Sequence, residues 1–208
     1  MKYILIIICL AAVVPTRAEV YLDGAAVFSK LSAPAINGRD RANGATLEAG
    51  WKFGESGRHA ITLGLQAVQW SGARQDYQAL SGTTVDSHSV RTRLETFLVG
   101  YAWETPLAPA WRLRVTAAGG LGRIKDTTES TLTVSGVAPV VERFDRTESA
   151  KFCGRLGLDV RWYFSTHAHL LLGVDVMRKA ADDEPSLYYG SFGAVTATTG
   201  KIGIGFRF

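Results

Sequence analysis

The chain ends in Lys201-Ile202-Gly203-Ile204-Gly205-Phe206-Arg207-Phe208. Its even positions are bulky and apolar, and its odd positions are glycine or a cation. This is the two-residue period of a β-strand, whose successive side chains point to opposite faces. One face calls for an apolar medium. The other fits a narrow polar space. The same division runs back through the chain. Over 169–179, Leu170, Leu172, Val174 and Val176 alternate with Leu171, Gly173, Asp175 and Met177. Over 148–164, Phe152, Leu156, Leu158, Val160, Trp162 and Phe164 alternate with Cys153, Arg155, Gly157, Asp159, Arg161 and Tyr163. Nearer the start, Ile61, Leu63 and Leu65, and before them Ala45, Leu47, Ala49, Trp51 and Phe53, keep the same beat.

Eight segments carry the pattern: 20–31, 44–54, 59–71, 89–103, 111–125, 148–164, 169–179 and 195–208. The polarity of the first and fourth is ambiguous, and Trp70 falls off the parity of the third. The connectors alternate in length. Those at 55–58, 104–110 and 165–168 are short, and those at 32–43, 72–88, 126–147 and 180–194 are long. An even number of strands returns both termini to the short-turn end. Aromatic residues gather at that end: Trp51, Phe53, Tyr101, Trp103, Trp111, Trp162 and Phe164, with Phe206 and Phe208. A belt at one height is what a membrane interface selects, because amphipathic rings settle among the headgroups.

Hydrophobic residues make up 47% of the 208 and charged residues 20%, a composition that folds and excludes a disordered chain. The longest apolar run, 3–14, is twelve residues. A helix needs about 20 to cross a bilayer, so none here does. Residues 1–18 read as a secretory signal: Lys2, the apolar run, Pro15, then Thr16-Arg17-Ala18. Cleavage is expected between Ala18 and Glu19, leaving one domain over 19–208. Loss of Lys2 and Arg17 takes the cations from 23 to 21 against 19 acids, a net charge of +2. That is too small to argue for nucleic acid. Cys9 departs with the signal. Cys153 then has no partner for an intrachain disulfide, so a core or a closed sheet must hold the chain.

A soluble lipocalin-type barrel also has eight strands, and alternation alone does not say which face is inside. Residue size decides. Trp, Phe, Leu, Ile and Val crowd one face. The other carries glycine with Glu48, Lys52, Arg112, Arg114, Arg155, Asp159, Arg161, Asp175, Lys201 and Arg207. An eight-stranded bore is just wide enough to fill with side chains. Small residues and paired charges fit that bore, and bulky apolar groups fit lipid. In lipid the sheet must close to satisfy its backbone. The expectation is an all-β fold, an eight-stranded antiparallel up-and-down transmembrane β-barrel.

The terminal octapeptide resembles the C-terminal signal of bacterial outer-membrane barrels: a polar residue, a glycine two later, and aromatic or apolar residues third-last and last. Lys201, Gly203, Phe206 and Phe208 occupy those positions. The whole mature chain is similar to the small OmpA/OmpX-type barrel domain, without a peptidoglycan-binding domain after it. The resemblance implies the outer membrane of a Gram-negative bacterium, contact with its lipid and lipopolysaccharide, and folding by the barrel assembly machinery, which reads that signal.

The expected function is non-enzymatic: envelope integrity, or surface interaction with an unknown ligand through the long loops. The alternatives are a small porin-like channel and a lipid A-modifying enzyme. The interior charges can form a polar path or a static network. Buried charge persists only when paired, which favours the network. His88 and Ser89 lie at the long-loop rim, but neighbours in an extended segment face opposite ways. His59, His167 and His169 fall at the short-turn end. His167 and His169 are two apart on one face, a weak metal pair without a third ligand. No cofactor is implied. Residues 126–147 can form a hairpin above the membrane, although a loop on a rigid base is the commoner outcome. The long connector 180–194 joins Asp182, Asp183 and Glu184 with Tyr188, Tyr189 and Phe192, which fits a solvated acidic loop.

Overall fold

A computed structural model describes residues 19–32, 41–54, 56–70, 74–79, 83–134, 137–181 and 193–208. The expected signal at 1–18, including Ala18, lies outside them, as does the acidic and aromatic stretch at 182–192. The strands are β1 (Glu19–Ser32), β2 (Arg41–Phe53), β3 (His59–Trp70), β4 (Arg74–Ala79), β5 (Thr83–Ala108), β6 (Trp111–Val134), β7 (Val140–Thr147), β8 (Lys151–Tyr163), β9 (Ala168–Lys179) and β10 (Val195–Arg207).

Eight of these close a ring in which each strand is antiparallel to both neighbours: β1, β2, β3, β5, β6, β8, β9, β10 and back to β1. The closing seam pairs Tyr21 with Arg207 and Ser32 with Thr196. The short end turns tightly, and Gly54 (φ 81°) and Gly57 (φ 59°) supply left-handed backbone between β2 and β3. Outside, the ring presents Leu47, Ile61, Leu65, Phe97, Leu156, Leu172 and Ile202, all exposed. A soluble protein does not leave a continuous apolar belt uncovered.

The structure differs from the sequence reading in four places. First, the long connectors at 72–88 and 126–147 are largely strand. β4 pairs with the first residues of β5 (Ala79 with Thr83, Arg74 with His88). β7 pairs with the upper part of β6, from Leu132–Val140 to Lys125–Thr147. Their content of Thr and Val favours extended pairing over a loose loop. Second, the connector at 104–110 is almost all strand. β5 and β6 run on to Ala108 and Trp111, with an irregularity between Pro106 and Ala108. Third, Trp70 keeps strand alternation and points inward, at 4% exposure. It breaks only the expectation that the inner face is polar throughout. Fourth, the bore is divided. Its outer half is an apolar plug containing Val27, Leu31, Val68, Trp70, Leu94, Ile124, Cys153, Met177 and Val195. Its inner half holds the charges, apart from Lys179 and Glu148, which pair among the apolar residues of the outer half.

Candidate functional site

Strands β1, β2, β5, β6, β8, β9 and β10 each send inward charge to the lower bore, where the bonds run between strands. Glu48 on β2 bridges two arginines: Arg114 of β6 through Oε1, and Arg155 of β8, whose Nη2 donates to Oε2 at 2.5 Å. Asp23 on β1 accepts from Arg114 Nη1 at 3.2 Å and from Arg161 Nη2, and its other oxygen lies 3.0 Å from His169 Nε2. Glu104 takes Lys52 Nζ at 3.0 Å and Arg161 Nη1 at 3.4 Å. Lys201 lies 2.7 Å from Asp159 and 3.8 Å from Asp175. Tyr21 sits beneath Arg114 and Arg161, whose guanidinium carbons stand 4.8 and 4.7 Å from its ring centre. Higher up, Lys179 and Glu148 pair at 3.1 Å, both fully buried.

These buried charges balance. Among the described residues, Lys52, Arg114, Arg155, Arg161, Lys179 and Lys201 face Asp23, Glu48, Glu104, Glu148, Asp159 and Asp175. The space left between Glu48, Arg114, Arg155, Asp159 and Lys201 is about 10 Å³. A single water needs roughly 10–15 Å³. With the apolar plug above, nothing in this arrangement offers an ion a hydrated route.

Glu48, Lys52, Arg114, Arg155, Asp159, Arg161, Asp175 and Lys201 are all buried in the bore. Arg112 and Arg207 sit at its periplasmic mouth, beside the Tyr163 ring at 5.3 and 5.5 Å. Tyr21, Asp23, Glu104 and His169 complete the network and fall outside the sequence-based set. For Glu104 the cause is the assignment of its segment to a turn. For Tyr21 and Asp23 it is the ambiguous parity of the first strand.

The histidines separate. His169 turns into the bore onto Asp23, whereas His167 is exposed beside Thr166 Oγ1 at 2.8 Å, so they do not share a face as a metal pair. His59 lies outside against the Tyr101 hydroxyl. His88 occupies β5 opposite Arg74 and Glu129. The aromatic residues Trp51, Phe53, Tyr101, Trp103, Trp111, Trp162 and Phe164 stand at the short-turn end. Trp111 and Trp162 stack with ring centres 6.0 Å apart. At the terminus, Phe206 and Phe208 point outward and Lys201 is buried.

Above the barrel, β4, the start of β5, the end of β6 and β7 form a four-stranded antiparallel sheet. From Lys125 to Val134, β6 rises about 30 Å at ~3.3 Å per residue. The face continuing the bore side carries Leu132, Val134, Val140 and Phe144, all exposed, together with Asp126, Glu142 and Arg146. The opposite face carries Lys125, Glu129, Arg143 and Asp145, with Val141 exposed among them. Among the described residues, β7 has a strand partner on one side only.

This architecture recurs in solved structures. The chain superposes on a major outer membrane protein from Thermus thermophilus with a TM-score of 0.55 and 15% identity, covering 92% of this chain and 99% of that one. It also superposes on Ail, the attachment invasion locus protein of Yersinia pestis (0.52, 12%, 92% and 99%), and on Neisserial surface protein A (0.50, 11%, 90% and 95%). The fold is that of a small outer-membrane β-barrel. No family model and no curated protein sequence matches the chain.

Proposed function

We propose that this chain is a non-enzymatic integral outer-membrane protein with a sealed bore, acting at the cell surface through the sheet that stands above its rim. The observation that carries the reading is the contrast between the two parts. The bore is filled and charge-balanced, with a space of about 10 Å³ left among its charges. The sheet above has exposed apolar side chains and, among the described residues, an edge strand paired on one side only. An extended segment of another protein can add to such an edge, its main chain bonding to β7 and its side chains lying beside Val140 and Phe144. The charges Glu142, Arg143, Asp145 and Arg146 along β7 discourage indiscriminate pairing and leave room for a matched partner. Neisserial surface protein A is a surface protein by its name, and the attachment invasion locus protein is named for attachment. Their barrels support the same placement here.

Two measurements test the reading. In planar bilayers the chain should give no single-channel steps, because an apolar plug fills one half of the bore and paired charges fill the other. Discrete conductance would sink the sealed-bore reading and favour a channel. Replacing 128–144 by a two-residue turn should leave the barrel folded, seen as heat-modifiable migration on gels. The same change should abolish adherence of expressing cells to immobilised β-sandwich proteins with open edges. Unchanged adherence would remove the sheet from the function. The form in the outer membrane is proposed to start at Glu19, which N-terminal sequencing reads directly. Lys201, Gly203, Phe206 and Phe208 are proposed to serve as its assembly signal.

A further inference from the structure

The open side of β7 has a defined set of main-chain groups. The N–H of Glu148 donates to the Ile124 carbonyl at 2.9 Å, and these two residues continue the register that sets Lys125 opposite Thr147. Bonded pairs alternate along an antiparallel ladder, so Arg146, Phe144, Glu142 and Val140 also direct their N–H and C=O groups at β6. Val141, Arg143, Asp145 and Thr147 direct theirs to the side where, among the described residues, no strand lies. An antiparallel strand added there must bond to those four.

The charges along this edge are complementary to themselves. Residues 142–146 read Glu, Arg, Phe, Asp, Arg: acid, base, ring, acid, base. Reversed about Phe144, every acid falls on a base. With a second β7 laid antiparallel and Phe144 opposite Phe144, each Glu142 faces an Arg146 and each Arg143 faces an Asp145. Val141 faces Thr147, so the open residues bond one another. Opposite charges facing across strands stabilise a sheet and like charges destabilise it. Main-chain bonding allows the register to slide only in steps of two residues, which move the centre by one. Centred on Arg143, the pair sets that arginine against itself. Centred on Asp145, it sets that aspartate against itself and Glu142 against Glu148. The side chains needed are accessible: Arg143 and Asp145 are 62% and 72% exposed.

Tilt decides where the second copy stands. Two copies in one membrane would share the inclination of their strands, about 35–45° from the normal, and cross at roughly 70–90°. A copy in a facing membrane is inverted, and its β7 runs antiparallel. Phe144 lies opposite Thr128, five residues beyond Arg123, where the outward apolar series of β6 ends. That is about 17 Å along the strand and ~13 Å of height. Facing apolar layers would then lie about 25 Å apart, enough for two headgroup layers of roughly 6 Å each. We propose that β7 binds β7 of a second copy in a facing membrane, about a two-fold axis through Phe144. This rests on the docking edge proposed above and names its partner.

The full mature chain in phosphatidylcholine vesicles tests this, at about 0.15 M salt to screen long-range attraction, with clustering read by light scattering. Wild-type vesicles should cluster. Glu142→Arg/Arg143→Glu and Asp145→Arg/Arg146→Asp each keep the net charge but set like charges together in a self-pair. Either variant alone should cluster about tenfold less. Mixed, the two variants regain every opposite-charge pair, and clustering should return. Amide hydrogen exchange checks that each variant keeps its β6–β7 sheet. Should a swap loosen that sheet, Val141→Pro gives a separate reading. It removes an open-side N–H without touching a bond to β6, and should lower clustering severalfold. Swapped or proline variants that cluster like the wild type would overturn the proposal, as would intact variants whose mixture stays dispersed. Dispersed wild-type vesicles whose protein still adheres to open-edged β-sandwich proteins would overturn self-pairing alone. Loss of both would take the docking edge with it.

Discussion

Glu48→Ala should destabilise the barrel by about 3–5 kcal/mol, the cost of removing one partner from a buried ion pair. Glu48 is buried, and its two oxygens serve Arg114 and Arg155, with the Tyr21 hydroxyl 3.3 Å away. Alanine removes both acceptors and leaves two buried guanidiniums short of a carboxylate. The loss does not stay local, because Arg114 also bonds Asp23, which in turn holds Arg161. Urea unfolding in lipid vesicles, followed by tryptophan fluorescence, measures the difference. Glu95→Ala is the matched control. It too removes a carboxylate from several cations, but on an exposed surface where such pairs are worth about 0–1 kcal/mol. If the two substitutions cost the same, the interior network is not the element that holds the bore.

Gly203→Val should nearly abolish the folded species. Gly203 lies on β10 opposite Ala25 of β1, at the seam where the ring closes. A Cβ there would meet the Gly24 carbonyl oxygen and come within 2.6 Å of Ala25 Cα. Both are backbone atoms of the partner strand, so no side-chain rotation relieves the clash. Overpacking a rigid site costs about 1–3 kcal/mol for small additions, and the two further methyls of valine place this case at or above the top of that range. Gly200→Ala, three residues earlier, meets only the Phe28 carbonyl at 3.9 Å and should fold normally. The expected readout is loss of heat-modifiable migration after refolding in detergent, where no assembly machinery is present. Phe208→Ala should refold normally under those conditions, because that ring is outside and exposed. A Gly203→Val chain that refolds as well as the wild type would mean that the seam tolerates separation.

The barrel was legible in the sequence because lipid and a narrow bore impose opposite demands on alternate residues. Strand count, antiparallel order, the end at which the termini lie and the aromatic belt all follow from that alternation and the connector lengths. The composition of the bore was only half legible. Trp70, Leu94, Ile124 and Met177 are apolar and face inward. Beside them the outward residues include Gln69, Arg93, Glu95, Arg123, Lys125 and Arg178, so near the rim the polarity of the two faces inverts. A reading that assigns the polar face to the bore places these apolar residues outside. Glu104 was hidden for a different reason. Two prolines, Pro106 and Pro109, read as a turn, but β5 absorbs Pro106 at an irregular step in its pairing. The upper sheet was open to either reading, since Thr-rich segments alternate weakly. Pairing of β4 with β5 and of β7 with β6 became visible only once the barrel had brought β5 and β6 side by side.

The distribution of charges over the lower bore has a consequence for how the strands find their places. A two-residue slip between neighbours keeps every apolar side chain toward lipid, so hydrophobic patterning cannot reject it. The charges can. Sliding β2 by two residues along β1 would move Glu48 away from its place opposite Asp23 and out of reach of Arg114 and Arg155. Each of Asp23, Glu48, Glu104 and Asp159 is bonded to cations from other strands, so any such slip leaves several buried charges unmatched at once. The interior network thus serves as a proofreading device for assembly: a misaligned ring loses at once several charge pairs that the native alignment makes.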